Sequence, residues 1–362
     1  MRLPAKSNLP PYVIAEAGVN HNGSLDMALR MVDAAKQAAA HAIKFQTFKA
    51  EKLVTQSAPK ANYQRSSTGD DTNQFQMLKN LELNDSAHHQ LAKHCREVGI
   101  DFLSTPFDIG SLDFLVKDLG LSTIKIPSGD ITNGPLLLHA ASYGCNIILS
   151  TGMSTLDEIE AALKVLALGF QSAGAIPSEK ALDDAYTRCH EVLRDRVCLL
   201  HCTSEYPAPL EDVNLMAMKS MEGRFGLPVG YSDHTMGIVV PIAAAALGAV
   251  VIEKHFTLDR SLPGPDHQAS LTPGELSEMV AGIMAVRVSL GNGTKAPAVS
   301  ELKNRIPARR SLVAACNIRA GEIFSEKNLT LKRPGGGHSG MDYWQWIGRT
   351  ADRDYAADEM VD

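Results

Sequence analysis

Eight short apolar runs, rich in β-branched residues, recur along most of the chain: Tyr12–Gly18, Ala42–Phe48, Asp101–Phe107, Thr123–Gly129, Asn146–Gly152, Arg196–Cys202, Leu227–Ser232 and Val250–Phe256. Most lack clean alternation, as expected of strands buried on both faces of a parallel sheet. Helical periodicity fills the gaps. Ser24–Ala38 opens on a serine suited to cap a helix and puts Leu25, Leu29 and Val32 on one face. Thr155–Leu168, Met236–Leu247 and Thr272–Leu290 read the same way, with Pro273 in a first turn, where its missing N–H costs little. Eight strands, each followed by a helix, over about 290 residues predict an α/β fold, a (β/α)8 barrel. A doubly wound open sheet is the competing architecture, but no G-x-G-x-x-G follows the first run.

The texture changes after the last helix. GNGTKAPAVSELKNRIP has the glycines, prolines and polar filling of a linker, and beyond it Arg310–Asn317 is strand-like, Arg319–Glu322 turn-like and Arg333–Gly340 rich in glycine. The expected organisation is a barrel over residues 1–290, a linker over 291–307 and a small β-rich domain over 308–362. A domain of roughly 55 residues is near the lower limit for independent folding.

Composition narrows the class. The chain has 362 residues, 44% apolar and 21% charged, with a formal net charge of −6. These fractions are globular and exclude a disordered or collagen-like chain. No basic stripe invites nucleic acid, and no run reaches the length of a membrane span. The N-terminus lacks an apolar region followed by a small-residue cleavage site, so a cytoplasmic protein is expected. Six scattered cysteines without C-x-x-C fit reduced thiols better than a disulfide framework or zinc ribbon.

In a barrel, chemistry sits where the strands end. There the sequence places Glu16, Lys44 with Gln46, Thr105, Lys125 with Ser128 and Asp130, Ser150, Ser204 with Tyr206, Ser232 with His234, and Glu253, Lys254 and His255, with Asp266 just beyond. A single buried lysine or serine closing a strand needs no function. Six or more strands ending this way would be costly in a mere core, because each buried polar group needs a partner. Hydroxyls, glycine-flanked N–H groups and two lysines in one ring suit an anion with several oxygens. His234 and His255, on neighbouring strands, could share a divalent metal. The histidines of the helix before the third run, His88, His89 and His94, read as surface residues. Cys198 and Cys202 share a strand face and read as core. Lys49–Asn73 is long and polar with no clear periodicity, as lids often are. Gln171–Asp195 follows a helix and belongs to the opposite end of the barrel.

IAEAGVNHNGSLDMA, AIKFQTFKA, FLSTPFD, KIPSGDITN, IILSTGMST, LLHCTSEYPAP, GYSDHT, VIEKHFTLDR and GPDHQASL, followed by RRSLVA and LKRPGGG, together resemble the bacterial sialic acid synthase family. The resemblance implies a (β/α)8 barrel with a C-terminal antifreeze-like (SAF) domain. It implies joining of phosphoenolpyruvate to an N-acylated mannosamine-type sugar with release of phosphate, in first place N-acetylmannosamine giving N-acetylneuraminate. By that resemblance His234 and His255 match manganese ligands, with magnesium or cobalt as substitutes. Lys44, Thr105, Ser128, Ser150 and Ser232 match phosphoenolpyruvate contacts, with Ser204 a further position. Glu16 matches the carboxylate near the sugar, and it is joined by Lys125 and Asp130 as the catalytic set. Gln46, Tyr206 and Asp266 match sugar contacts. Arg333 matches an arginine delivered to the partner barrel of a domain-swapped homodimer. Asp130 stands where many bacterial members have Glu, and Ser204 where some have Asn.

Rival readings remain. The nearest is a synthase for diacetyllegionaminic acid or a related nonulosonic acid, from a 2,4-diacetamido-6-deoxy hexose. A metal-dependent aldolase and an ice-binding module are more distant, and Arg309, Arg310, Lys332 and Arg333 crowd the small domain with charge that an ice-binding face would lack.

Overall fold

The computed structural model describes residues 10–68, 72–174 and 176–362. The opening residues 1–9, which carry the leader reading, lie outside it, as do residues 69–71 of the long polar connection and residue 175 of Gln171–Asp195. Two compact units divide the chain, one ending at Gly291 and the other spanning Asn292–Asp362.

The first unit is a parallel barrel of β1 Tyr12–Gly18, β2 Ala42–Thr47, β3 Asp101–Pro106, β4 Thr123–Ile126, β5 Asn146–Ser150, β6 Val197–His201, β7 Val229–Asp233 and β8 Val251–His255. The ladder runs β3-β2-β1-β8-β7-β6-β5-β4, and β3 and β4 lie side by side without a ladder between them. β4 is shorter than its apolar run, because Pro127 cannot donate to a ladder and Ser128–Asp130 turns into a 3-10 helix.

Period-2 geometry sorts the strand residues onto two faces. Ile43, Phe45, Ile124, Ile126, Ile147, Leu149, Leu199 and Ile252 point outward into the main core under the helices. Ile14, Ala42, Leu103, Ile148, Cys198, Leu200 and Val251 fill the lower interior. Both faces are buried, which is why the runs looked uniformly apolar.

The helices begin where their caps allow. Ser24 accepts from the Met27 N–H and starts Leu25–Gln37, whose buried face is Ala28, Met31, Val32 and Ala35, with Leu25 and Leu29 half-buried on its flank. Thr155 and Thr272 form capping boxes with Glu158 and Glu275 ahead of Leu156–Gln171 and Pro273–Ser289.

Three expectations are corrected. The long polar connection carries helices Ala50–Leu53 and Asn62–Thr68 and leads directly into a third, Gln74–Leu81, and its apolar side chains form a cluster of their own with Val19, Phe48 and Phe107. His88 is buried, 2.9 Å from the Thr47 hydroxyl, because its helix packs that face on the barrel. The stretch read as linker contains a helix, Val299–Ala308. Gln171–Asp195 includes helix Glu179–Arg188 and leads into β6 from below, away from the strand ends that carry chemistry.

The second unit pairs β9 Ser311–Ala314 antiparallel to β10 Leu329–Lys332. Single bridges such as Val313 to Met360 and Ile318 to Tyr355 extend it, and Leu312, Ile318, Phe324, Leu329, Tyr355 and Val361 form its own core.

One outward-facing ion pair ties the ends of β7 and β8. Lys254 Nζ lies 2.5 Å from Asp233 Oδ2, and both are fully buried. Asp233 also accepts from the Tyr231 hydroxyl and from the Thr235 N–H and hydroxyl, and Lys254 donates to the Thr235 carbonyl. The Lys254→Ala variant leaves the Asp233 charge buried without its partner and is expected to lose about 3–5 kcal/mol of stability. Equilibrium urea unfolding measures the loss, and a midpoint within error of the parent would refute it.

Candidate active site

A cavity of about 400 Å³ opens at the C-terminal ends of the strands. The inward positions of β1 to β3 send Glu16, Lys44, Gln46 and Thr105 into it. Lys125, Ser128 and Ser150 come from β4, the turn after it and β5. Ser204 and Tyr206 follow β6, Ser232 and His234 come from β7 and the position just beyond it, and His255 and Asp266 come from β8 and the loop after it. One expected residue of the barrel unit does not line this cavity: the Asp130 carboxylate accepts from Asn133 Nδ2 at 2.9 Å. Arg333, expected to serve a partner's barrel, is an exposed residue of the second unit.

Four charges make the floor. Lys44 Nζ stands 2.7 Å from Glu16 Oε2, 3.6 Å from Glu253 Oε2 and 3.1 Å from the Thr105 hydroxyl. Lys125 Nζ is 3.3 Å from Glu253 Oε1, which also accepts from the Ser232 hydroxyl at 2.8 Å. Burial raises both carboxyls, but Glu253 lies between two ammonium groups, which overcome burial and hold it ionised. Glu16 faces Lys44 alone at short range, and burial wins, lifting it to about 7. Burial lowers Lys125, with Glu253 opposing. With Lys44 held charged by its two carboxyl neighbours and Glu16 pushed toward its neutral form, the floor favours an anion.

Hydroxyls complete the anion site. Ser128 Oγ accepts from the Gly152 N–H at 2.9 Å and lies 3.1 Å from Cys202 Sγ, while Ser150 Oγ is buried with no partner among the described residues. Position 152 has room for no side chain, since a Cβ there would stand 2.3 Å from Ser204 Oγ, 2.9 Å from Ser128 Oγ and 3.0 Å from Cys202 Sγ. Unspent donors beside two lysines suit phosphate and carboxylate oxygens.

Nearer the mouth the rings stack. Tyr63 lies 5.0 Å from Tyr206, which lies 4.1 Å from His234, and His234 is 5.7 Å from His255, all between centroids. His234 Nδ1 is 2.6 Å from the Thr203 carbonyl, which can only accept, so Nδ1 carries the proton and Nε2 keeps a lone pair. His255 Nδ1 is buried without a partner among the described residues. Burial depresses both imidazoles, His234 to about 4. Two neutral rings with spare lone pairs fit a divalent cation whose remaining positions go to water or substrate.

Asp266 is held from below. Ser270 Oγ donates to its carbonyl and accepts from Asn20 Nδ2, and neighbouring His267 is fixed between Thr257 and Asn22. The loops after β1 and β8 are thereby clamped together. Burial raises the Asp266 carboxyl to about 6.

Sequence reasoning placed Glu253 at the end of its strand but gave it no role, missed Tyr63, and took Cys202 for core. Glu253 was recoverable, since it sits two positions before His255 and shares its face. Tyr63 had no such signal, because its helix carries no clear apolar period.

Residues 31–295 match the NeuB family and residues 309–362 the SAF domain. The chain belongs to the NeuB family. It is 48% identical over 349 residues to an N,N'-diacetyllegionaminic acid synthase of Campylobacter jejuni, covering 96% of this chain and 98% of that one. An N,N'-diacetyllegionaminic acid synthase of Legionella pneumophila is 45% identical, over 92% and 88%. The crystal structure of an N-acetylneuraminic acid synthetase from Leptospira borgpetersenii superposes with a TM-score of 0.66 at 35% identity, over 82% of this chain and 90% of that one. This NeuB family member is therefore an enzyme, a synthase on a barrel followed by an SAF domain, and none of its described helices is long and apolar enough to cross a membrane.

Asp266 gives this NeuB family barrel a pH-dependent cost. A carboxyl raised from 3.8 to about 6 on folding favours the fold while protonated. That contribution is whole below pH 4 and is lost as pH rises through about 6. Asp266→Asn stays neutral throughout, so it is expected to exceed the parent in stability at pH 8 by about 2–3 kcal/mol at most. The margin should close by pH 4. Paired urea titrations at the two pH values test this, and a margin independent of pH would refute the assignment.

Proposed function

We propose that this NeuB family member joins phosphoenolpyruvate to 2,4-diacetamido-2,4,6-trideoxymannose and releases phosphate, forming N,N'-diacetyllegionaminic acid. The observation that carries this reading is the 48% identity, over nearly the whole of both chains, to the Campylobacter synthase of that product. The likeness to the N-acetylneuraminic acid synthetase, at 35%, supports the class more than the acceptor. N-acetylmannosamine, the acceptor expected first from the motifs, becomes the comparison substrate.

The floor suits phosphoenolpyruvate. Lys44 and Lys125 face its carboxylate and phosphate, and Ser128, Ser150 and the Gly152 N–H region supply donors at fixed positions. Glu253, ionised between the lysines, favours their charged forms against the cost of burial. Carbon 3 of the enol attacks the aldehyde carbon of the open-chain sugar. As that bond forms, the carbonyl electron pair moves to oxygen, which takes a proton. Glu16, near 7, is the group assigned to supply it. Water then adds at carbon 2, returning a proton to Glu16. The tetrahedral carbon breaks its bond to the phosphate oxygen, its hydroxyl proton passes to the leaving phosphate, and the carbon becomes the ketone. His234 and His255 would hold a divalent ion, manganese or in its place magnesium or cobalt, which supplies Lewis-acid polarisation of the sugar carbonyl.

The rim of the barrel supports a homodimer. Met153, Leu210, Met216, Met236 and Val239, in the segments that follow β5 to β7, are each more than half exposed. Such a concentration of apolar side chains around a mouth calls for a covering partner. The proposed arrangement is the domain-swapped dimer, with Arg333 serving the partner's barrel.

Two experiments test this reading. Phosphate release from phosphoenolpyruvate is expected with the trideoxy diacetamido sugar in preference to N-acetylmannosamine, to stop on exhaustive chelation and to return with manganese. Lys44→Ala should weaken phosphoenolpyruvate tens-fold, as loss of a charge-assisted contact would. Activity that survives chelation removes the metal, and preference for N-acetylmannosamine removes the proposed acceptor. Arg333→Ala and His255→Ala chains, each nearly inactive alone, should regain activity when mixed, because one barrel of the hybrid keeps both residues. Verified hybrids without activity would end the swapped arrangement.

A further inference from the structure

The cavity has two chemistries. Its floor is charged, but the side that comes from the segment between β2 and β3 is mostly aliphatic, with Tyr63, Gln64 and Gln74 beside the apolar residues. Leu53, Val54, Met77, Leu78 and Leu81 all line it there. They belong to a cluster with Phe48, Ala50 and Phe75 that is separate from the barrel core.

This wall is built. The Ala50 N–H is capped by Glu82 Oε1 at 2.7 Å, Lys79 pairs with Glu51 at 2.7 Å, and the Gln74 N–H donates to the Ala58 carbonyl. These contacts lock helices Ala50–Leu53 and Gln74–Leu81 to each other. Their apolar edge faces the same space into which the floor presents lysines and hydroxyls. A sugar hydroxyl pressed against these aliphatic side chains, away from Gln64 and Gln74, would lose its water and find no partner in them, whereas a methyl group would lose nothing.

We infer that the aliphatic wall of Leu53, Val54, Met77, Leu78 and Leu81 seats alkyl substituents of the acceptor and sets the preference for a deoxygenated, N-acetylated sugar over a more hydroxylated one. The inference rests on the acceptor proposed above and adds the residues that choose it. Carbon 1 of the sugar faces the enol over the floor, and the far edge of the sugar, with its carbon 6 methyl and acetamido methyl, lies along the wall.

The test is a ratio. Val54→Thr keeps the branched shape at a half-buried position, Met77→Gln nearly keeps the length, and Leu78→Met is the apolar control. Phosphate release is measured for each with the trideoxy diacetamido sugar and with N-acetylmannosamine. The two polar variants are expected to lower kcat/KM for the trideoxy sugar by about tenfold or more, with less than a twofold change for N-acetylmannosamine and for the KM of phosphoenolpyruvate. Leu78→Met should leave the ratio alone. Equal losses on both acceptors, in variants with unchanged Tm, would make the wall merely structural and overturn the inference, as would no change at all. A parent that prefers N-acetylmannosamine would refute the acceptor reading by itself. A ratio that still moves with Val54 and Met77 would then support the alkyl seat, and a fixed ratio would overturn it.

Discussion

Lys44 bridging Glu16 and Glu253 is the contact on which the site is built. Burying an ammonium group without partners is prohibitive, and even a paired one stays in place only with good geometry and further hydrogen bonds. The barrel provides both, because neighbouring parallel strands set Glu16 opposite Lys44 and opposite His255, with the inward-facing Glu253 two positions before His255. Lys125 reaches Glu253 from across the ring. One carboxylate shared by two lysines favours their charged forms, and a second carboxyl at about 7 keeps a proton at hand.

Holding that level requires the outside of the barrel. Period 2 sends Glu253 and His255 inward and Lys254 outward, and Lys254 anchors the strand to Asp233 in the layer beneath the helices. Asn20 and His267 fasten the loops above β1 and β8 to each other. The groups that touch the cavity are thus supported by buried polar pairs that do not touch it, and precision at the mouth depends on both sets.

Much of this was legible in the sequence, for a definite reason. Parallel strands buried on both faces give short β-branched runs with sharp ends, so the eight strands and the polar residue at the end of each could be read directly. Asp130 misled because proximity to a strand end says nothing of the direction a side chain takes in a 3-10 turn, where Asn133 captured it. His88 misled because a polar residue on an amphipathic helix reads as exposed until the partner, Thr47, is known. The aliphatic wall escaped notice because helices of four to eight residues are too short to show a period.

The missing side chain at position 152 has a use outside this molecule. Three strand ends converge so tightly there that even a methyl group would displace Ser128, Ser204 and Cys202 together. A related barrel with alanine at this place must turn the Ser204 and Ser128 hydroxyls away from the positions they hold here. That one column of a sequence comparison can therefore separate relatives able to keep these hydroxyl positions from those that must place them elsewhere.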